Sequence, residues 1–361
     1  MIRKPPMGLR LSLAVTTALL GLGLLGALTA QWLGLPLPFL LGALLATAPM
    51  AICAQARLPS GYRFPESLRL PFIALIGALI GAQVTPELLG GLPDLLPSLL
   101  AILVFVLLAQ GGNYLIFRRL GGYDAATAFF AGAPGGLIES IALGQAAGAT
   151  QPTLIAQQFL RIILVITLVP LGLSLWLGAP LGSADGMILS PHAPSVRMYP
   201  LAAVILGLGL FAGRALKLPA WQLTGALLVS AGFALLGAPL ALPNALMLLA
   251  QLVVGCALGM RFAGLTLRSL RRCLWLSLVS LGFMFALGAG LAALLLPATG
   301  ETFETLFITF APGGVNEMAL VALSLNANPA FVTLHHILRI LFTVLLLGAL
   351  SKRLFKAPPP Q

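Results

Sequence analysis

Long apolar runs alternate with short polar or basic connections along the whole chain, and most runs have the length of a bilayer-spanning helix. About 20 apolar residues cover the hydrocarbon core of a membrane. In the first half such runs occupy residues 11–30, 38–55, 68–85, 96–117 and 152–177. In the second half they occupy 199–216, 221–236, 245–260, 273–296 and 329–350. Two more apolar stretches, 123–147 and 301–325, are interrupted midway. The pattern predicts an all-α polytopic membrane protein.

The interruptions are two copies of one motif. The first reads Ala133-Pro134-Gly135-Gly136-Leu137-Ile138-Glu139 and the second Ala311-Pro312-Gly313-Gly314-Val315-Asn316-Glu317, 178 positions later. Pro removes a backbone donor and crowds the preceding turn, and Gly adopts angles other residues avoid, so each triplet ends a helix. At the same offset Leu160-Arg161-Ile162 answers Leu338-Arg339-Ile340, and Gly77 and Gly81 answer Gly255 and Gly259. With a small shift, Gly42-Ala43-Leu44-Leu45 answers Gly225-Ala226-Leu227-Leu228. One unit is written twice: residues 1–180 form a first membrane repeat, 198–350 a second, and 351–361 a cytoplasmic tail expected to be disordered. From Tyr123 to Ala133, or Glu301 to Ala311, the rise is about 15 Å of helix, half the hydrocarbon thickness. Both breaks are therefore expected near the bilayer midplane.

Composition supports this class. Hydrophobic residues make up 59% of the 361 and charged residues 8%, against about a quarter charged in soluble domains. The net charge of +11 is spread over short clusters between apolar runs, as in cytoplasmic loops, so nucleic acid is not an expected partner. Cys53, Cys256 and Cys273 form no CxxC pair and read as small core residues. The basic start and first apolar run could be a signal peptide, but the second repeat also opens with an apolar run, which favours a retained helix.

Charge also bears on topology. If each broken stretch turns back as a re-entrant hairpin, each repeat spans five times and the second is inverted. Arg57, Arg63, Arg69, Arg118, Arg119, Arg214, Lys217, Arg261, Arg268, Arg271 and Arg272 then share the cytoplasmic side with both termini. The loop 179–197, with Asp185, faces out. If each stretch crosses instead, there are twelve spans in parallel repeats, and residues 261–272 fall outside with Arg214 and Lys217. The positive-inside rule favours the inverted arrangement of ten spans plus two hairpins in a bacterial inner membrane.

Four charges fall at mid-depth: Glu139, Glu317, Arg161 and Arg339. An unpaired charge there costs about 2.5–3.5 kcal/mol, so each needs a reason. Each Glu sits in the first turn after its break, where a helix N-terminus favours a carboxylate. One reading pairs each Glu with the Arg of its own repeat. The other, compatible with it, is a substrate or ion site made by both breaks, as in secondary transporters with discontinuous helices. Its candidates are Pro134, Gly135, Gly136, Glu139, Pro312, Gly313, Gly314, Asn316, Glu317, Arg161 and Arg339, with Gln157 and His335 one turn before each Arg on the same helix face. His335 and His336 are adjacent and point about 100° apart, a poor metal pair, and His192 is remote in the central loop. No cofactor, no metal and no catalytic residue are expected.

At these motifs the chain resembles the AbrB family of bacterial inner-membrane proteins, internally duplicated units carrying an A-P-G-G-x-x-E-M type signature. Ala311 to Met318 matches it, and the first copy departs at Ser140. The resemblance covers nearly the whole chain. It implies a membrane protein that family labels describe as a regulator of gene expression or as an ammonia monooxygenase, distinct from the soluble DNA-binding regulator of the same name. Three classes follow: a carrier of a small, anionic metabolite; a membrane-embedded regulator acting indirectly; and a copper monooxygenase subunit, against which the three histidines argue. A carrier, not an enzyme, is the expectation. Its expected partners are the lipid bilayer, a small molecule or ion and, as an option, a second copy in a homodimer.

Overall fold

A computed structural model of the chain describes residues 9–53, 59, 62–86, 95–178, 198–218, 220–263, 267–325 and 327–355. Every regular element among them is helical. The first half holds α1 (Leu9–Trp32), α2 (Pro38–Cys53), α3 (Glu66–Gly81), α4 (Leu96–Leu115), α5 (Ala125–Ala131), α6 (Leu137–Ala146) and α7 (Gln151–Leu177). The second half holds α8 (Met198–Ala215), α9 (Trp221–Leu235), α10 (Asn244–Gly259), α11 (Leu267–Thr299), α12 (Phe303–Phe310), α13 (Val315–Ser324) and α14 (Pro329–Leu354). Among the described residues seven helical segments are long and apolar enough to cross a membrane: Leu11–Trp32, Leu96–Leu120, Gln151–Leu177, Met198–Ala215, Asn244–Phe262, Cys273–Thr299 and Pro329–Ser351. This is the make-up of a multi-pass membrane protein.

Helix limits follow local chemistry. Asp124 caps α5 by accepting from the Thr127 N–H at 2.8 Å, and Thr302 caps α12 by accepting from the Thr305 N–H at 3.2 Å. These positions are again 178 apart. Asn328 caps α14, whose first residue is Pro329, a ring already set for a helix start. Three limits differ from the apolar pattern by four residues or more. Helix α3 stops at Gly81, four residues early, in turns that lead to Pro86, which disfavours helix at the residue before it. Helix α11 starts at Leu267, six residues early, because Arg268, Arg271 and Arg272 are good helix formers. Helix α14 runs to Leu354 and takes in the first residues expected in the tail. The 179–197 loop and the end of the tail, both assigned a membrane side by charge, lie outside the described residues, as does His192.

The helices pack by reciprocal exchange between halves. Helix α1 packs on α2 and α8 on α9; then α2 packs on α10 and α9 on α3. Glycines permit these crossings. A Cβ on Gly77 would lie 2.2 Å from the Leu223 carbonyl oxygen, and one on Gly255 would lie 2.5 Å from that of Leu40. Gly26 against Gly42 is matched by Gly209 against Ala226 and by Gly213 against Gly225. Small residues let helix backbones touch where lipid supplies no hydrophobic drive between helices. A second layer gathers α4, α7, α11 and α14 around the short helices α5, α6, α12 and α13. The layers meet where α3 packs on α13 and α14, and one continuous apolar core runs through both.

Candidate functional site

Each break is built by the same backbone problem and the same solution. Pro134 has no N–H for the Phe130 carbonyl, and Pro312 has none for that of Ile308. The next long helix in each half supplies the missing donor. Gln158 Nε2 donates to the Phe130 oxygen at 2.7 Å, and His336 Nε2 lies 2.9 Å from the Ile308 oxygen. Three residues further along those helices, Arg161 Nη1 donates to the Ala133 oxygen and Arg339 Nη1 to the Ala311 oxygen. Arg339 Nη2 also donates to the Gly313 oxygen at 2.6 Å and lies 3.1 Å from His336 Nδ1. With Nε2 donating to Ile308, His336 is the neutral Nε2–H tautomer, and its Nδ1 accepts from Arg339. From α4, Gln110 and Asn113 add donors to the Phe129 and Gly132 oxygens at 2.8 and 3.0 Å. Bonds to charged donors contribute about 1.5–3 kcal/mol each, so the breaks are held rather than slack.

The expected pairing of each Glu with the Arg of its own repeat does not form. Among the described residues the ion pair present is Arg69–Glu66, at 3.5 Å. Both mid-depth arginines are used on break carbonyls instead. An Arg with five donors relieves orphaned carbonyl oxygens, which a carboxylate cannot do.

The first turns of α6 and α13 open on a shared cavity of about 200 Å³. The N-cap positions, Gly136 and Gly314, have no side chain, and at α13 the Glu317 carboxylate accepts from its own backbone N–H instead. Gly135, Gly136, Glu139, Arg161, Gly313, Gly314, Asn316 and Glu317 line the cavity. Arg161, 8% exposed, has an Nε without a hydrogen-bond partner, and Asn316 Oδ1 is likewise buried and unpartnered. The two copies differ. Glu317 is 6% exposed and folds back over Gly314, whereas Glu139 is exposed. Gly136 is left-handed (φ 62°), while Gly314 is extended (φ −75°, ψ 152°). Ser140 Oγ donates to the Gly135 oxygen at 3.3 Å, and its counterpart Met318 packs over Gly313.

Five candidates lie off the cavity lining. Pro134 and Pro312 shape the turns, and Arg339 is spent on the second break. Gln157 is saturated elsewhere: its Nε2 donates to the Tyr123 hydroxyl at 2.7 Å, and its Oε1 accepts from Ser277 Oγ at 2.5 Å. His335 bonds to the Phe331 oxygen and to Ser98 Oγ, both at 2.8 Å, and so ties α14 to α4. Two charged lining residues were not singled out as site candidates from sequence: Arg69 on α3 and Arg261 just after α10. Both also line a wider vestibule of about 640 Å³ with Tyr62, Arg63, Glu66 and Phe159. They act electrostatically on Glu317.

Outside the helix core, burial would push the Asp124 carboxyl up, but hydrogen bonds from Thr127 and Thr150 outweigh it and hold the group below its ordinary range. Thr150 Oγ1 donates to Asp124 Oδ2 at 3.2 Å, and the Thr150 N–H donates to Thr127 Oγ1 at 2.7 Å. The start of α7 is thereby fastened to the start of α5.

Fold and site together define a class: a duplicated all-helical protein with membrane-length helices, in which two broken helices converge on one charged cavity. Residues 47–356 match the family described as "Transition state regulatory protein AbrB", and the chain belongs to that family. It is 27% identical over 306 residues to "Putative regulator AbrB" of Escherichia coli (strain K12), covering 83% of this chain and 86% of that protein. It is 29% identical over 272 residues to "Uncharacterized protein YhjN" of Bacillus subtilis (strain 168), covering 68% and 67%.

Proposed function

We propose that this AbrB-family protein is a secondary carrier of a small anion in the bacterial inner membrane, with both termini cytoplasmic and the ligand bound between the two breaks. The observation that carries the reading is the charge around the shared cavity. Three guanidinium groups (Arg69, Arg161, Arg261) and two carboxylates (Glu139, Glu317) line it, and two helix N-termini with glycine at the N-cap open on the same space. The balance is positive, and helix N-termini are anion sites. Irregular backbone lining a polar cavity is also the arrangement in which broken helices are tolerated inside a membrane.

An inverted repeat of five spans plus one re-entrant hairpin accompanies this reading. The Thr150 bonds that bring the start of α7 back to the start of α5 support a hairpin, since a crossing segment would carry those ends to opposite sides. The reciprocal crossings of α2 with α10 and of α9 with α3 support two interlocked halves. The names in the family point to regulation, which a carrier achieves indirectly by setting the level of a metabolite. No catalytic step is assigned.

A cation site is the second reading, favoured by the buried Glu317 and the unpartnered Asn316 Oδ1. Thermal melting of the purified protein with small carboxylates, with and without Na⁺, separates the two. An anion site is expected to show carboxylate stabilisation that Arg161→Gln removes. Stabilisation by Na⁺ alone, lost in Glu317→Gln, would replace it with the cation site.

A further inference from the structure

We infer that the ligand carries two separated anionic groups, a short-chain dicarboxylate being the fitting class, with one group at the breaks and the other at Arg69 and Arg261. The inference rests on the cavity being the ligand site and adds what kind of anion it holds.

The lining residues divide into two sets. Gly136, Gly314, Asn316 and Arg161 line the inner cavity and not the vestibule. Arg69 and Arg261, with Leu137 and Ala257, line both, which puts the two arginines at the boundary between the spaces. A ligand in the inner cavity therefore meets break N–H groups and Arg161 at one end and a guanidinium pair at the other. The charge count agrees. Three guanidinium groups against the two lining carboxylates leave one positive charge, and two helix ends of about half a charge each raise it to about two once a ligand takes Arg69 from Glu66 at the vestibule. A monoanion would leave this pocket undercompensated.

Size agrees as well. The inner cavity of about 200 Å³ has room for roughly six or seven water volumes, a short-chain acid rather than a nucleotide. Arg69 is already drawn to the exposed carboxylate of Glu66, so an incoming carboxylate exchanges one anionic partner for another. Arg261 makes no ion pair among the described residues and is free to bind the second group. The same positions in the other repeat, 178 residues away, are Met247 and Gln83. The guanidinium pair therefore exists once, and the ligand is gripped asymmetrically by a nearly symmetric frame.

The test is calorimetric titration of the purified full-length protein with succinate, butyrate and sulfate. Succinate is expected to bind at least about tenfold more tightly than butyrate. Arg261→Gln is expected to bring the two within about twofold of each other while the butyrate Kd moves less than about threefold. Ligand-free melting reports whether that variant is folded, and Arg69→Gln gives the same ratio independently. Butyrate binding as tightly as succinate, or sulfate matching succinate, overturns the two-group inference and leaves the anion site standing. Failure of all three to bind overturns the site itself.

Discussion

Gly136 and Gly314 occupy equivalent positions but are glycine for different reasons. Gly136 is left-handed, so any side chain there is strained by about 1–2 kcal/mol. Gly314 has an extended backbone open to any residue, but a Cβ would fall 1.9 Å from Glu317 Oε2. The atom that must move is the end of a flexible side chain, so the substitution relocates a carboxylate rather than breaking the fold. Gly136→Ala is expected to lower the melting temperature more than Gly314→Ala. Gly314→Ala is expected to change carboxylate affinity by at least about fivefold. Melting curves and titrations of both variants check this, and equal effects of the two on both readouts would contradict it. The motif made Glu317 legible from sequence. It could not reveal that Arg161 and Arg339 serve carbonyl oxygens, because that depends on which donors reach the gap left by Pro134 and Pro312. Arg69 and Arg261 were missed for a related reason. Each lies near a helix end beside polar sequence, where an arginine reads as a loop charge. The available signal was their position two turns before Gly77 and two residues after Gly259, on helices with close-packing faces.

At the scale of elements, the apolar runs located the described helices to within six residues at each end, because chain segments in lipid must satisfy their own backbone. The misses were at ends, where propensity and proline decide. Helix α11 shows the consequence most clearly: its first turns carry Arg268, Arg271 and Arg272 as helix rather than loop. Face arguments failed for Gln157 and His335. Sharing a face with an arginine does not fix the neighbour, and these two meet Tyr123, Ser277 and Ser98 on other helices. The inverted arrangement puts the basic start of α11 in the cytoplasm. A single cysteine at Ser269 in a cysteine-free protein is expected to resist an impermeant thiol reagent in intact cells and to react once the membrane is opened. Labelling in intact cells would indicate the parallel, twelve-span arrangement.

For the whole molecule, duplication explains why one cavity has two nearly identical walls. The halves exchange helices through glycine crossings, and each brings a broken helix to the seam between the two layers. Such a seam suits a carrier, since relative movement of packed layers around a fixed site is how alternating access works. The decisive measurement is uptake of a labelled carboxylate, one that stabilises the purified protein, into vesicles containing that protein. The account predicts saturable uptake above protein-free vesicles, abolished by Arg161→Gln while the variant still inserts and melts cooperatively. A ligand that binds the purified protein yet never accumulates in the vesicles, under any imposed ion gradient, would contradict a carrier and leave a membrane-embedded sensor.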